Sequence, residues 1–144
     1  MTTALFPGSF DPFTTGHKNI VDRALRLFDK VVVAVGVNSD KHYMFSPEER
    51  IARIQAFFPD EGRVEVVSYI DMTVDLCRRV GAQCILRGVR NIHDMEYEQT
   101  VAAVNRTLAP DIDTLILFAD TPYKDISSTL ERERLLHTPL APNR

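Results

Sequence analysis

Apolar positions along this chain follow two alternating periods. Val31-Val32-Val33-Ala34-Val35 is an unbroken, mostly β-branched run, the pattern of a strand covered on both faces in a parallel sheet. Ala4-Leu5-Phe6, Val64 to Val67, Cys84-Ile85-Leu86 and Thr114 to Ala119 read as further strands. Between them the spacing changes to that of amphipathic helices, with Ile20, Val21, Ala24, Leu25 and Phe28 on one face and Ile51, Ile54 and Phe57 or Phe58 on another. Ser46-Pro47-Glu48-Glu49 marks a helix start, with Ser46 as N-cap, Pro47 at the first helical position and Glu49 closing a capping box. Asp71 is expected to cap a helix through Val74, Leu76 and Cys77 that Gly81 ends. A longer helix runs from about Asp94 to Leu108, before Pro110, and Ser128 with Glu131 predicts a capping box opening a final helix.

Five strands alternating with helices, without repeats or low-complexity linkers, predict one doubly wound α/β domain built on a single five-stranded parallel sheet. The domain is expected over residues 1–136, with 137–144 a short Pro-rich tail that is poorly ordered. Right-handed crossovers put the strand C-termini on one edge, where such sheets bind ligands. The polar segments obey that geometry. Pro7 to His17 follows the first strand, Asn38 to Lys41 the second, Arg87 to Arg90 the fourth and Tyr123 to Thr129 the fifth.

Composition narrows the class. The 144 residues are 44% hydrophobic and 26% charged, near globular averages. A net charge of −3 argues against broad nucleic-acid binding but leaves room for a local basic pocket. The longest apolar stretch, Val31 to Val37, is too short to span a bilayer, and the N-terminus lacks a secretory pattern, so a cytoplasmic protein without membrane partners is expected. Cys77 and Cys84 read as reduced core residues, with no metal-ligand spacing around them. His42, His93 and His137 read as surface residues.

The loop chemistry is that of phosphate handling. Pro7-Gly8-Ser9-Phe10-Asp11-Pro12-Phe13-Thr14-Thr15-Gly16-His17 joins glycines, expected to let a ligand approach closely, to the donors Thr14, Thr15 and His17 at a helix start. The helix dipole is expected to lower the pKa of His17. Lys41 stands in a polar loop and taken alone reads as a solvated lysine. Arg87-Gly88-Val89-Arg90 supplies two planar cations at a strand end, which suit phosphate or an ion pair with Asp94 or Glu96. Ile126-Ser127-Ser128-Thr129 offers hydroxyls and free N–H groups at a helix start, although the capping box alone accounts for Ser128.

The first of these segments resembles the T/HxGH signature of the nucleotidyltransferase superfamily, and its full form resembles the bacterial phosphopantetheine adenylyltransferase family. The likeness extends over roughly Thr3 to Arg134. Met44-Phe45-Ser46 after Lys41, Arg87-Gly88-Val89-Arg90 before Asp94-Met95-Glu96-Tyr97-Glu98, and Ile126 to Thr129 match family elements in order, with Met95 replacing the usual Phe. The resemblance implies a Rossmann-like fold and transfer of AMP from ATP to 4′-phosphopantetheine, giving dephospho-coenzyme A and pyrophosphate without a covalent intermediate. It implies that His17, Lys41 and Ser9 are catalytic. ATP would be held by Ser9, Phe10, His17, Gly88, Val89, Arg90, Glu98, Tyr123, Lys124, Asp125, Ile126, Ser127, Ser128 and Thr129. Phosphopantetheine would be held by Ser9, Lys41, Thr73 and Arg87. Mg2+ would accompany ATP without dedicated protein ligands, and a homohexamer subject to feedback by coenzyme A is expected. Two other readings remain open: a transferase acting on another acceptor, such as nicotinate mononucleotide or glycerol phosphate, and a non-catalytic nucleotide-binding module on the same fold.

Overall fold

A computed structural model describes residues 1–137; of the tail expected over 137–144, His137 is instead the last residue of the final helix, and the rest lies outside the described residues. The elements in chain order are β1 (Thr3–Gly8), α1 (Thr15–Ala24), β2 (Lys30–Gly36), α2 (Pro47–Ala56), β3 (Val64–Tyr69), α3 (Thr73–Val80), β4 (Cys84–Val89), α4 (Ile92–Leu108), β5 (Asp113–Phe118) and α5 (Ser128–His137), with a single 3-10 turn at Thr121–Tyr123 before the last helix. The strands form one parallel sheet in the order β3-β2-β1-β4-β5. The direction of winding reverses between β1 and β4, and that reversal opens a crevice at the strand C-termini.

Each strand's alternate side chains serve a different layer. Ala4, Phe6, Val31, Val33, Val35 and Leu86 pack with Ile20, Val21 and Ala24 of α1 and Ile54 of α2. Leu5, Val32, Ala34 and Ile85 face the other way, onto Val74, Leu76 and Cys77 of α3 and onto Ala109 and Ile112 after α4. Because β2 is covered on both sides, its inner residues Val31 to Val35 are fully buried, and the unbroken apolar run follows from that. Cys77 and Cys84 are buried free thiols, their pKa values raised to about 11 with burial the largest cause. His42, His93 and His137 are exposed.

Several boundaries differ from the sequence reading. Parallel pairing carries β3 on to Tyr69 and β4 on to Val89, so Arg87 and Gly88 lie in the strand rather than in the loop after it. The α2 start is as predicted: Ser46 Oγ accepts from Glu49 N, and the Glu49 side chain accepts from Ser46 N. Asp71 does not cap α3. Met72 occupies the N-cap without a side-chain bond, and Asp71 instead pairs with Arg79. Gly81 ends α3 in the left-handed region, φ 73°, as a C-terminal glycine does. At α5 the capping hydroxyl is Ser127, which accepts from Leu130 N at 3.1 Å. Ser128 instead donates to the Pro12 carbonyl at 2.7 Å, and Glu131 pairs with Arg134.

Candidate active site

Two adjoining cavities open at the strand C-termini. The first, about 370 Å3, lies at the β1–β4 reversal between the β1–α1 loop, the end of β4 and the start of α5. The second, about 750 Å3, lies over β1, β2 and β3. Pro7, Gly8, Ser9, Arg87, Tyr97 and Glu98 line both, so the two spaces meet along the end of β1.

The β1–α1 loop is built around aromatic rings. Phe6, Phe10 and Phe13 are buried, and the His17 ring packs 5.0 Å from Phe10 and 5.2 Å from Phe13. Phe10 takes a positive φ of 49°, an unfavourable conformation for a side chain of this size. Its ring occupies the space above Gly8, where an added Cβ would stand 2.8 Å from Phe10. Glycine at position 8 therefore makes room for Phe10, and its bare backbone also lines both cavities. Gly16 has only ordinary contacts around an added Cβ.

His17 is the third residue of α1 and closes a capping box with Thr14. Thr14 Oγ1 accepts from His17 N, while Thr14 N donates to His17 Nδ1 at 2.9 Å. A backbone N–H can only donate, so Nδ1 is the unprotonated nitrogen and the neutral ring carries its proton on Nε2. The pKa of His17 is lowered to about 3, chiefly by burial and further by the charges of Arg87 and Arg90. Burial, rather than the helix dipole expected from sequence, is the leading cause. The consequence is a neutral imidazole at ordinary pH, with one N–H left to offer in a residue that lines the first cavity.

Arg87 projects from β4 and is held by the Glu98 carboxylate, through Nε at 2.9 Å and Nη2 at 2.8 Å, with Nη1 donating to the Pro7 carbonyl. A guanidinium has further N–H donors beyond these. Glu98, which is buried, faces both cavities with its two oxygens engaged by Arg87. Arg90 pairs with Asp94 at 3.4 Å. Around the first cavity stand Ser9, Phe10, His17, Gly88, Val89, Arg90, Glu98, Tyr123, Ile126, Ser127, Ser128 and Thr129. Lys124 and Asp125 belong to the same loop but are exposed and outside that lining. Lys41 and Thr73 line the second cavity with Ser9 and Arg87. Lys41 therefore does not share the first cavity with His17, and the two reach common ground only where the spaces meet.

Residues that the sequence reading left without a role hold these loops in place. The Asp11 carboxylate accepts from Met44 N at 2.8 Å and Phe45 N at 2.9 Å, tying the β1–α1 loop to the β2–α2 loop. Arg132 of α5 donates to the Asp11 carbonyl. Arg50 of α2 is fully buried beneath both loops. A signal for Arg50 existed: it stands one helical turn before Ile54, on the face that α2 turns to the core.

This sheet order, with phosphate-type donors gathered at its reversal, is the architecture of a nucleotidyltransferase, and the cytidylyltransferase-like family model matches residues 5–134. The fold is shared with a putative nicotinate-nucleotide adenylyltransferase from Vibrio parahaemolyticus at a TM-score of 0.67 and 19% identity, covering 94% of this chain and 88% of that one. Phosphopantetheine adenylyltransferases are much closer in sequence. The protein of that name from Bacteroides fragilis is 46% identical over 94% of this chain and 89% of its own length, and that from Phocaeicola vulgatus 47% over the same shares. The chain belongs to the phosphopantetheine adenylyltransferase family.

Proposed function

We infer that this protein transfers AMP from ATP to 4′-phosphopantetheine, releasing pyrophosphate and forming dephospho-coenzyme A. The observation that carries the reading is the pair of cavities joined along Ser9 and Arg87, the arrangement that direct transfer between two bound substrates requires. ATP would occupy the first cavity, with the start of α5 at its β- and γ-phosphates and Gly88, Val89, Arg90 and Glu98 around the nucleotide. Phosphopantetheine would occupy the second, its phosphate drawn to Arg87, Lys41 and Ser9 and its chain running past Thr73. An oxygen of that phosphate attacks the α-phosphorus. The new P–O bond forms as the bond to the α–β bridging oxygen breaks, and its electron pair leaves with pyrophosphate. His17 contributes as a neutral donor, its Nε2–H stabilising charge on the α-phosphoryl oxygens, and Lys41 neutralises the approaching phosphates.

Among the described residues no three His, Cys, Asp or Glu converge as a metal site, so Mg2+ would enter with ATP and take its ligands from phosphates and water. A homohexamer is supported by apolar side chains left open: Ile70 and Met72 before α3, and Tyr97, Val104 and Leu108 on α4. Feedback by coenzyme A follows if its adenylate and pantetheine parts fill the two cavities together. A cytoplasmic location suits the two free thiols, and no helix among the described residues is long and apolar enough to cross a membrane.

The test is pyrophosphate release from ATP with three acceptors, each supplied alone: 4′-phosphopantetheine, nicotinate mononucleotide and glycerol 3-phosphate. Turnover with the first only is expected. Turnover with either of the others moves the reading to another transferase, and ATP binding with no turnover on any acceptor would leave a binding module. Light scattering at several concentrations reads the assembly, with six copies expected.

A further inference from the structure

Among the described residues, Arg50 is a buried cation that pairs with no carboxylate. Its side chain is fully buried, none of the ion pairs among the described residues includes it, and its Nη2 has no hydrogen-bond partner. Leaving a buried charged donor unmatched is costly, so stability alone is a poor reason to keep a guanidinium here. What it touches suggests another reason. Nη1 donates to the Ser9 carbonyl at 2.8 Å and to the Gly36 carbonyl at 3.0 Å, and Nε donates to the Phe45 carbonyl at 3.2 Å. One side chain thereby joins the end of β1, the end of β2 and the entrance to α2.

The Ser9 bond bears directly on the first cavity. In a trans peptide the C=O and N–H point in opposite directions. With the Ser9 carbonyl turned down onto Arg50, the N–H of Phe10 in the same peptide is turned away from it, in a residue that lines the cavity. The same contact steadies the backbone just before Phe10, which carries the unfavourable φ of 49°. The other direction leads to Lys41. The Tyr43 ring stacks 4.0 Å from the guanidinium carbon, and the Tyr43 hydroxyl accepts from Asn38 N at 3.1 Å. Asn38 in turn accepts from Asp40 N through its side chain and from Lys41 N through its carbonyl, each at 3.0 Å.

We propose that Arg50 is a positioning residue for the transfer, which sets the Ser9–Phe10 peptide on one side and, through Tyr43 and Asn38, the Lys41 loop on the other. The proposal rests on the transfer reading above. Lysine cannot reproduce it, because a point charge cannot reach carbonyls on three segments as a planar fork does.

The experiment is a double-mutant cycle on kcat, using the wild type, Arg50→Lys, Lys41→Ala and the double variant, with melting temperature and ATP affinity by calorimetry as controls. Arg50→Lys is expected to fold and bind ATP within about threefold of wild type, and to lose roughly 10- to 100-fold in kcat. The double variant is expected to lose clearly less than the product of the two single losses, because the Lys41 arm that Arg50→Lys disturbs is already removed by Lys41→Ala, while the Ser9–Phe10 arm is not. Multiplying losses, or an undiminished kcat in folded Arg50→Lys, would overturn the proposal. Should Arg50→Lys fail to fold, Tyr43→Leu replaces it in the same cycle. It removes the stacked ring while keeping the carbonyl bonds, and the same two outcomes decide. A wild type that binds ATP without turnover fails the transfer reading instead, before any variant is compared.

Discussion

The two helix starts that face the first cavity are built in opposite ways. At α1, Thr14 and His17 cap each other, the His17 ring is packed among phenylalanines, and Ile20, Val21 and Ala24 of the same helix are in the core. At α5, no residue of the helix is buried. The helix is tied down by hydrogen bonds to main-chain carbonyls, from Ser128 to Pro12 and from Arg132 to Asp11. Both starts present N–H groups and hydroxyls to one space, yet apolar packing fixes the first in advance and polar contacts hold the second. Packing suits a group that must meet developing charge in one geometry. Hydrogen bonds alone suit an element that admits and releases a nucleotide.

That contrast is broken most severely at His17. His17→Ala is expected to lower turnover by roughly 100- to 1,000-fold, the usual cost of removing one preorganised donor, while the protein stays folded and binds ATP. Pyrophosphate release and calorimetry read the two quantities. Turnover close to wild type would mean that packing at α1 serves stability alone.

Gly8→Ala tests the packing without touching a donor. The new methyl must displace the Phe10 ring, which sits 2.8 Å from its position. Overpacking of this kind costs about 1–3 kcal/mol, and since Phe10 also contacts His17, kcat should fall along with the midpoint of urea unfolding. An unchanged midpoint would show that the ring yields freely and that the loop is less firmly set than its contacts imply.

How these features could be read beforehand differs by their cause. The buried run of β2 was legible because both its faces are covered, and Ser46 was legible because cap and box are local. Asp71 misled because its partner, Arg79, lies eight positions on across the length of α3. The choice between Ser127 and Ser128 as cap depends on the Pro12 carbonyl, 116 positions away, and no local signal encodes that. Arg50 could be placed on the core face from its position one turn before Ile54, but the carbonyls that bind its guanidinium, Ser9 and Gly36 among them, come from two strands and carry no local signal. The four loops were placed together from topology. What topology could not supply was their division between two cavities, with His17 in one and Lys41 in the other.

A smaller effect should appear in the pH dependence of stability. His17 has a folded pKa near 3 against about 6.5 when unfolded. As pH falls from about 6.5 towards 3, the unfolded chain takes up a proton that the folded one refuses, so stability is lost over that window and is fully present above it. Between pH 7.5 and 5 the loss should be about 1–2 kcal/mol, read from urea unfolding at both values. The exposed carboxylates Asp29, Asp71 and Asp111, whose pKa values are lowered, also lose stabilisation on acidification, but at lower pH and equally in a His17→Gln variant. That variant should therefore be flatter over the window. Equal slopes in the two proteins would place the imidazole in water and undo the account of α1 as a packed start.

The smallest change belongs to α5, and its direction matters more than its size. Ser128→Ala removes the bond to Pro12 but leaves the Ser127 cap, and the helix has no core contacts to lose, so unfolding should shift by no more than about 0.5–1 kcal/mol. If α5 is an admitting element, the loss appears in ATP binding: KM for ATP should rise about three- to tenfold, with kcat within about twofold of wild type. A companion Ser127→Ala variant removes the cap and should cost about 1 kcal/mol of helix stability, with KM shifted in the same direction. A fall in kcat comparable to that of His17→Ala would make the two helix starts equal partners in the chemistry, and the distinction between a packed start and a tethered one would lose its functional meaning.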